Sequence, residues 1–328
     1  MAFLYLVIGL ILIFDFINGF HDSANSIATV VSTKVLSPLA AVGLAATFNF
    51  VAFLVFPLKV ATTIGKGVIN PEIISLHLIG SAVVAAIIWN LITWWMGLPS
   101  SSSHTLVGGL VGAAVVSHGF GSVIVAGVMK IVIFIVVAPL LGMIMSYTIS
   151  IIVMHVVKRQ SPSTIDRWFR RLQLISASAF SLGHGGNDAQ KSMGIIWVAL
   201  IATNHVAKNA PIALWIVLSC HAAIALGTLF GGWRIVKTMG QRITKLRPFE
   251  GFCAETAGAL TLFGATHFGI PVSTTHTITG SIMGVGAVKG ASAVKWGVTR
   301  KIFWAWILTI PISALISAGI FILTRVLF

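Results

Sequence analysis

The chain has 328 residues, of which 57% are hydrophobic and only 9% are charged. This excludes an ordinary soluble domain, in which about a quarter of the residues are charged. The formal net charge of +14 does not indicate nucleic-acid binding, because excess Lys and Arg in a membrane protein chiefly marks its cytoplasmic loops. We therefore expect a multi-pass protein of the cell membrane whose surroundings are the lipid bilayer, with no cofactor and no nucleic-acid partner.

Apolar runs of about 20 residues, the length that a helix needs to cross a bilayer, predict an all-α polytopic membrane protein. In the first half, helices are predicted at 3–33, 38–58, 75–97, 99–118 and 122–157. In the second half, helices are predicted at 172–203, 210–232, 250–268, 271–288 and 296–327. Glycines predict a break in the first helix of each half, near residues 18–19 and 183–187. The last helix of each half contains a proline, Pro139 or Pro311, and is expected to form one span or two.

Two polar sequence blocks interrupt these apolar runs, and each occurs twice. PSSSSHTLVG at 99–108 returns as PVSTTHTITG at 271–280, and HDSANS at 21–26 returns as NDAQKS at 187–192. This duplication predicts two transmembrane repeats, at 1–157 and 172–328, joined by a basic linker at 158–171. Repeats of this kind are typical of transporters that bind their substrate where the two halves meet.

The charges predict that the second repeat is inverted relative to the first. If 75–118 and 250–288 are re-entrant helical hairpins, each half crosses the membrane three times, and an odd number inverts the next repeat. With the linker placed in the cytoplasm, fifteen Lys and Arg residues lie inside. Lys59, Lys66, Lys208 and Arg325 are assigned to the outside, and the other two, Lys130 and Lys191, fall within predicted helices; this asymmetry agrees with the positive-inside rule.

The repeated Ser/Thr–His–Thr blocks are the candidate substrate site. Each follows a proline and precedes a helical run, so each is predicted to begin a half-helix at the tip of a hairpin. Free N–H groups and the helix dipole favour an anion at such a position, and neighbouring hydroxyls add donors. The predicted substrate ligands are the hydroxyl residues Ser101, Ser102, Ser103, Thr105, Ser273, Thr274, Thr275 and Thr277, together with Lys191. The alternative role for these Ser and Thr residues is helix capping.

Acidic residues inside predicted membrane helices are the candidate coupling-ion site, since such carboxylates face a cavity, pair with a cation or relay a proton. Asp22 and Asp188 occupy matching positions in the two repeats. Asn25 offers an amide oxygen, whereas Lys191, its counterpart, cannot ligate a cation and can instead occupy the cation position itself. We therefore expect Asp22, Asn25 and Asp188 to be metal ligands only if the coupling ion is sodium.

Other polar residues leave alternatives open. His21, His104 and His276 are candidates for gating or for carrying a proton, and a purely structural role is equally compatible with the sequence. Asp15 has no acidic counterpart, because Ser181 occupies that place, and either a coupling proton or a helix cap explains it.

The quoted motifs resemble the inorganic phosphate transporter (PiT) family. GFHDSANS at 19–26, GNDAQKS at 186–192 and the paired PxSxxHT blocks carry this resemblance across nearly the whole chain. It implies a secondary transporter that imports phosphate with a cation through inverted repeats and two hairpins, often as a homodimer. Asp22, Asn25 and Asp188 would bind the coupling ion. The phosphate ligands would be Ser101, Ser103, Thr105, Ser273, Thr275 and Thr277.

Two departures from the family pattern favour a proton over sodium as the coupling ion. His21 stands where many members have asparagine, and Lys191 stands where sodium-coupled members have asparagine. The sequence thus predicts phosphate symport by alternating access and no enzymatic activity. The alternatives are a permease for sulfate or another tetrahedral oxyanion, a channel, and an intramembrane hydrolase using a pair such as Ser101/His104 or Ser273/His276.

Overall fold

The structure is a computed structural model that describes residues 1–327, which form twelve α-helices and no strand. The first six are α1 Ala2–Ser32, α2 Pro38–Val51, α3 Lys59–Gly67, α4 Leu76–Met96, α5 Ser102–His118 and α6 Val125–Val157. The second six are α7 Pro162–Ala202, α8 Leu214–Phe230, α9 Trp233–Gln241, α10 Pro248–His267, α11 Thr274–Ala287 and α12 Trp296–Leu327. The predicted all-α class is confirmed.

Four helices are long and apolar enough to cross a membrane: α1, α4, α6 and α12. Two bent pairs add up to two further spans. The segment Pro38–Leu54 meets α3 at 84°, and α8 meets α9 at 73°. The sequence analysis missed the two short helices α3 and α9. Helix α3 begins two residues after Pro57, which lacks an N–H donor, and α9 begins two residues after Gly231, which ends α8 with a φ of 69°.

The two halves of the chain contain the same helices in the same order, and their first helices run antiparallel. Thr33 follows the end of α1 and donates a hydrogen bond of 2.9 Å to Gln173, near the start of α7. Met1 precedes α1, and its Sδ lies 3.1 Å from Nε2 of His205, which follows the end of α7. Equivalent helices of an inverted repeat have this relative direction.

Each predicted hairpin returns to the place where it began. In the first half, the N–H of Ile124, after α5, donates to the carbonyl oxygen of Val68, before α4 (3.0 Å). In the second half, the N–H of Lys295, after α11, donates to the carbonyl oxygen of Ile243, before α10 (2.9 Å). The base of each hairpin is therefore closed by backbone hydrogen bonds, while its tip reaches into the molecule.

The breaks predicted within α1 and α7 are not found, because both helices continue through 18–19 and 183–187. The glycines that suggested breaks allow close helix packing instead. A Cβ on Gly19 would lie 2.1 Å from a backbone carbonyl oxygen of α8, and a Cβ on Gly185 would lie 2.4 Å from one of α2. Glycine thus marks a helix crossing at these positions and not an unwound segment.

Two further differences concern helix boundaries. The linker predicted at 158–171 is helical from Pro162, where Ser161 caps α7 by accepting a hydrogen bond of 3.2 Å from the N–H of Thr164. A serine followed by a proline is a common helix start, but the sequence analysis assigned this charged stretch to the linker. The open question about the last helix of each half is also answered, since α6 and α12 each continue through their proline as one helix.

Helix α5 packs closely against α12, and this contact predicts a stability difference between two glycine substitutions. A Cβ on Gly112 of α5 would lie 2.0 Å from the carbonyl oxygen of Ala314 in α12, whereas a Cβ on Gly319 would meet nothing within 4 Å. We expect Gly112→Ala to destabilise the fold by about 1–3 kcal/mol because it forces the helices apart. Gly319→Ala is the matched control. Equal thermal unfolding temperatures of the two variants in detergent would contradict this packing.

Candidate functional site

The tips of the two hairpins turn in the same way. At each tip a glycine with positive φ ends the incoming helix, Gly97 at 67° and Gly269 at 68°, and a proline follows two residues later. The outgoing helix then begins at a serine cap. Ser101 accepts from the N–H of His104 (3.4 Å), and Ser273 accepts from the N–H of His276 (3.2 Å). Both tips thus present the N-terminus of a buried helix to the centre of the molecule.

Asp22 of α1 lies where the two tips meet. The hydroxyl of Ser102 on the first tip donates to one oxygen of its carboxylate, and the hydroxyl of Thr275 on the second tip donates to the other (3.4 Å each). His21 Nδ1 lies 2.7 Å from the same carboxylate, and its Nε2 lies 3.1 Å from Thr93 Oγ1. Asp22 therefore joins both halves of the chain through hydrogen bonds.

Asp188 and Lys191 form a buried ion pair on α7. The Lys191 ammonium also donates to Ser103 Oγ on the first tip (2.5 Å) and to the carbonyl oxygen of Val272 beside the second tip (3.0 Å). An ammonium has three N–H donors, so all of them have partners. The oxygens around this nitrogen come from a carboxylate, a hydroxyl and a carbonyl group, which are the oxygen types that a monovalent metal cation would use.

Asn25 lies on the first-repeat side of the same centre. Its Nδ2 donates to Thr275 (2.9 Å) and Thr274 (3.2 Å) of the second tip, and its Oδ1 is buried without a partner. An unpartnered acceptor at this place fits a cation ligand. Thr274 in turn donates to Asp188 (3.1 Å), which connects the predicted coupling-ion residues through one hydroxyl.

His184 is a site residue that the sequence analysis missed. Its Nε2 lies 3.3 Å from Asp188, one helical turn away, and ligand atoms of Asp22, His184 and Asp188 all lie within 4.8 Å of one another. The spacing of four residues before Asp188 was the available signal, because residues four apart share a helix face. The imidazole adds a third group able to bind a proton or a cation between the repeats.

The predicted anion ligands divide into two groups. Ser102, Ser103, Thr274 and Thr275 make the contacts with charged or amide side chains described above. The others mainly satisfy their own helices: Ser101 and Ser273 are caps, while the hydroxyls of Thr105 and Thr277 donate to the carbonyl oxygens of Ser102 (2.6 Å) and Ser273 (3.0 Å). Thr105 Oγ1 also lies 3.3 Å from Asn90 Oδ1 of α4. Within each tip, some Ser and Thr residues therefore cap the helix, and others face the charged side chains of the centre.

The tip histidines lie against each other. The ring centres of His104 and His276 are 4.9 Å apart, and His276 stacks on Trp306 at 3.9 Å. Among the residues that the structure describes, neither ring forms a hydrogen bond to the serine three residues before it. The Ser–His pairs required by the hydrolase alternative are thus not formed.

A buried charged centre between the two halves of an all-helical membrane protein is typical of the class of transport proteins. The comparisons with known proteins agree. The model of the phosphate transporter family matches residues 18–317, and the chain belongs to this family. The resemblance drawn from the sequence motifs is confirmed.

Curated relatives and a solved structure support this assignment. A probable low-affinity inorganic phosphate transporter of Rhizobium meliloti is 56% identical over 316 residues, covering 95% of both chains. A protein of the same description from Bacillus subtilis is 43% identical and covers 97% of this chain and 96% of its own. A solved structure of a sodium-dependent phosphate transporter superposes with a TM-score of 0.89 at 26% identity, covering all of both chains.

Proposed function

We propose that this protein imports inorganic phosphate across the cell membrane together with a cation, preferably a proton, by alternating access. The observation that carries the proposal is the meeting of both hairpin tips at Asp22, through Ser102 and Thr275. Helix N-termini and hydroxyls supply anion donors there, and opening on either side of the tips in turn gives alternating access. Membership of the phosphate transporter family supports phosphate as the anion.

The charges at this centre explain why a cation must accompany the anion. Among the Asp, Glu, Lys and Arg side chains of this centre, Asp22 and Asp188 carry two negative charges and Lys191 carries one positive charge, so this set is negative before phosphate enters. Two unit charges 4 Å apart repel by about 4 kcal/mol at an effective dielectric constant of about 20. That repulsion weakens anion binding by about three orders of magnitude. A bound cation, or a proton on one carboxylate, removes it.

The contacts of Lys191 support the proton over sodium. Its ammonium is surrounded by Asp188, Ser103 and Val272, and thereby fills a position where oxygen ligands would hold a metal cation. At most one conventional cation position then remains, beside Asp22 and Asn25. Sodium at that position is the alternative, and the similarity to a sodium-dependent phosphate transporter makes it a specific one.

We further propose that the two repeats are inverted in the bilayer and that the linker is cytoplasmic. The antiparallel direction of α1 and α7 supports the inversion. Lys66 donates to the carbonyl oxygen of Lys208 (3.3 Å), so two of the four cations assigned to the outer side are neighbours. Arg170 donates to the carbonyl oxygen of Lys34 (3.1 Å), which joins two residues assigned to the inner side.

Uptake into proteoliposomes tests the proposed function. We expect labelled phosphate to accumulate above its external concentration when a proton gradient is imposed, with saturation and with little competition from sulfate. If only a sodium gradient drives accumulation, the coupling ion is sodium and not a proton. Strong competition by sulfate would favour the sulfate alternative. No accumulation under either gradient would contradict symport, and equilibration without accumulation would indicate a channel.

A further inference from the structure

Asp15 is a buried carboxylate that the proposed transport site does not use. It lies on α1 with no exposed surface, and neither carboxylate oxygen has a hydrogen-bond partner. No Lys, Arg or His of the described chain forms a salt bridge with it. A bare carboxylate without donors in a membrane interior costs several kcal/mol or more, so this group must bind a proton or another cation.

The other buried carboxylates differ from Asp15 because each has hydrogen-bond donors or a cation beside it. Glu255 of α10 accepts hydrogen bonds from Thr29 and Ser176 (2.5 Å each) and from Gln173 (3.0 Å). Asp22, Asp188 and Glu250 also have donors or cations beside them. Asp15 alone among the buried carboxylates of residues 1–327 lacks both.

The surroundings of Asp15 fit a proton better than a fixed counter-ion. Asn18 of α1, Ser192 of α7 and Cys220 of α8 lie beside the carboxylate, and all three side chains are uncharged. The oxygen atoms of Asn18 and Ser192 are themselves buried and unpartnered. The titratable groups that act on Asp15 are Cys220 and Asp188, and neither supplies a positive charge.

The position of Asp15 connects it to the central site. It precedes Asp22 by seven residues on α1, which is two helical turns or about 10 Å. Ser192 follows Asp188 by one turn on α7 and lies next to Asp15. A negative charge on Asp15 therefore acts on Asp188. Glu255 contacts α1 at Thr29, beyond the central site, whereas Asp15 precedes that site on α1.

We infer that Asp15 is a second proton-binding site, separate from the Asp22–Asp188 centre, whose proton is taken up and released during each transport cycle. The inference rests on the proposed function. The step is a simple protonation, in which one carboxylate oxygen forms an O–H bond with a proton from the aqueous side and loses it again after phosphate is released. A neutral Asp15 lowers the negative potential at Asp188 and thereby favours the entering anion.

Asp15→Asn tests the inference because it fixes this side chain in a neutral form of nearly the same shape. We expect the variant to exchange labelled for unlabelled phosphate across proteoliposomes at equal pH, at a rate near that of the unaltered protein. We also expect it to lose most of its phosphate accumulation in an imposed proton gradient. Ser181→Asn, at the matching position of the second repeat, is the control and is expected to keep both activities.

The outcomes separate the inference from the proposed function. If the unaltered protein accumulates no phosphate under any gradient, the proposed function fails. If it does accumulate phosphate and Asp15→Asn accumulates it equally well, only the inference on Asp15 fails. Loss of both exchange and accumulation in folded Asp15→Asn also overturns the inference. Should that variant not fold, Asp15→Glu must retain proton-driven accumulation with an altered pH dependence, and an unaltered profile counts against the inference.

Discussion

Asp22→Asn is expected to abolish phosphate uptake while leaving the protein folded. The carboxylate accepts hydrogen bonds from both hairpin tips and lies next to His21. One carboxylate therefore connects the two halves of the chain. Hydrogen bonds to a charged group contribute about 1.5–3 kcal/mol each. Removing the negative charge weakens the two hydrogen bonds from the tips, so we expect the initial uptake rate to decrease by about a hundredfold or more.

The exposed Asp166→Asn substitution is the control for this experiment. Asp166 forms an ion pair with Arg170 on the surface, and such pairs contribute less than about 1 kcal/mol. Uptake by this variant is expected to match that of the unaltered protein. The two variants are compared at equal protein content in the vesicles. If Asp22→Asn retains more than about a tenth of the normal uptake rate, the tips do not act through this carboxylate.

The hairpins were the most predictable part of the fold. Their tips combine glycine, proline and serine within five residues, and each of these residues has a specific effect on the backbone. The predicted helices at 75–97 and 99–118 are found as α4 and α5, with bounds that differ by no more than three residues. Local chemistry determines such turns, so the sequence alone reveals them.

The packing of α1 and α7 was much less predictable. A glycine in a long helix allows either an unwound segment or a close helix crossing, and the sequence does not distinguish the two. Only the arrangement of α2 and α8 against Gly185 and Gly19 decides for the crossing. The bends before α3 and α9 were missed for a related reason, since these short amphipathic helices lack the length of an apolar span.

For the candidate site, the sequence predicted which residues come together better than which contacts each residue makes. Because the motifs are duplicated, the sequence predicted that Asp22, Asp188 and the hydroxyl residues lie at one centre. In the structure their side chains do lie close together. The duplication in the sequence could not distinguish the capping serines, Ser101 and Ser273, from the hydroxyl groups that face the charged side chains. That division depends on which residue occupies the N-cap position and on which side chains of α1 and α7 lie opposite the other hydroxyls.

Lys191→Asn is expected to make phosphate transport depend on added sodium. The substitution restores at position 191 the residue type that Asn25 provides in the first repeat, and it removes the ammonium that Asp188, Ser103 and Val272 surround. Removing one partner of a buried ion pair costs about 3–5 kcal/mol because the other charge is left uncompensated. A sodium ion that enters this position recovers part of that free energy. Uptake should therefore rise by about tenfold or more with sodium, an effect of about 1.4 kcal/mol.

The double variant Asp188→Asn with Lys191→Asn shows whether this response comes from the vacated position. Without the Asp188 carboxylate, the position loses the negative charge that contacts Lys191 and keeps only Asp22 nearby, so sodium stimulation should fall sharply while thermal stability recovers. Choline in place of sodium controls for ionic strength. If Lys191→Asn transports phosphate with unchanged cation dependence and unchanged affinity, Lys191 does not take the place of a cation. The difference between Asn25 and Lys191 then has no part in the choice of coupling ion.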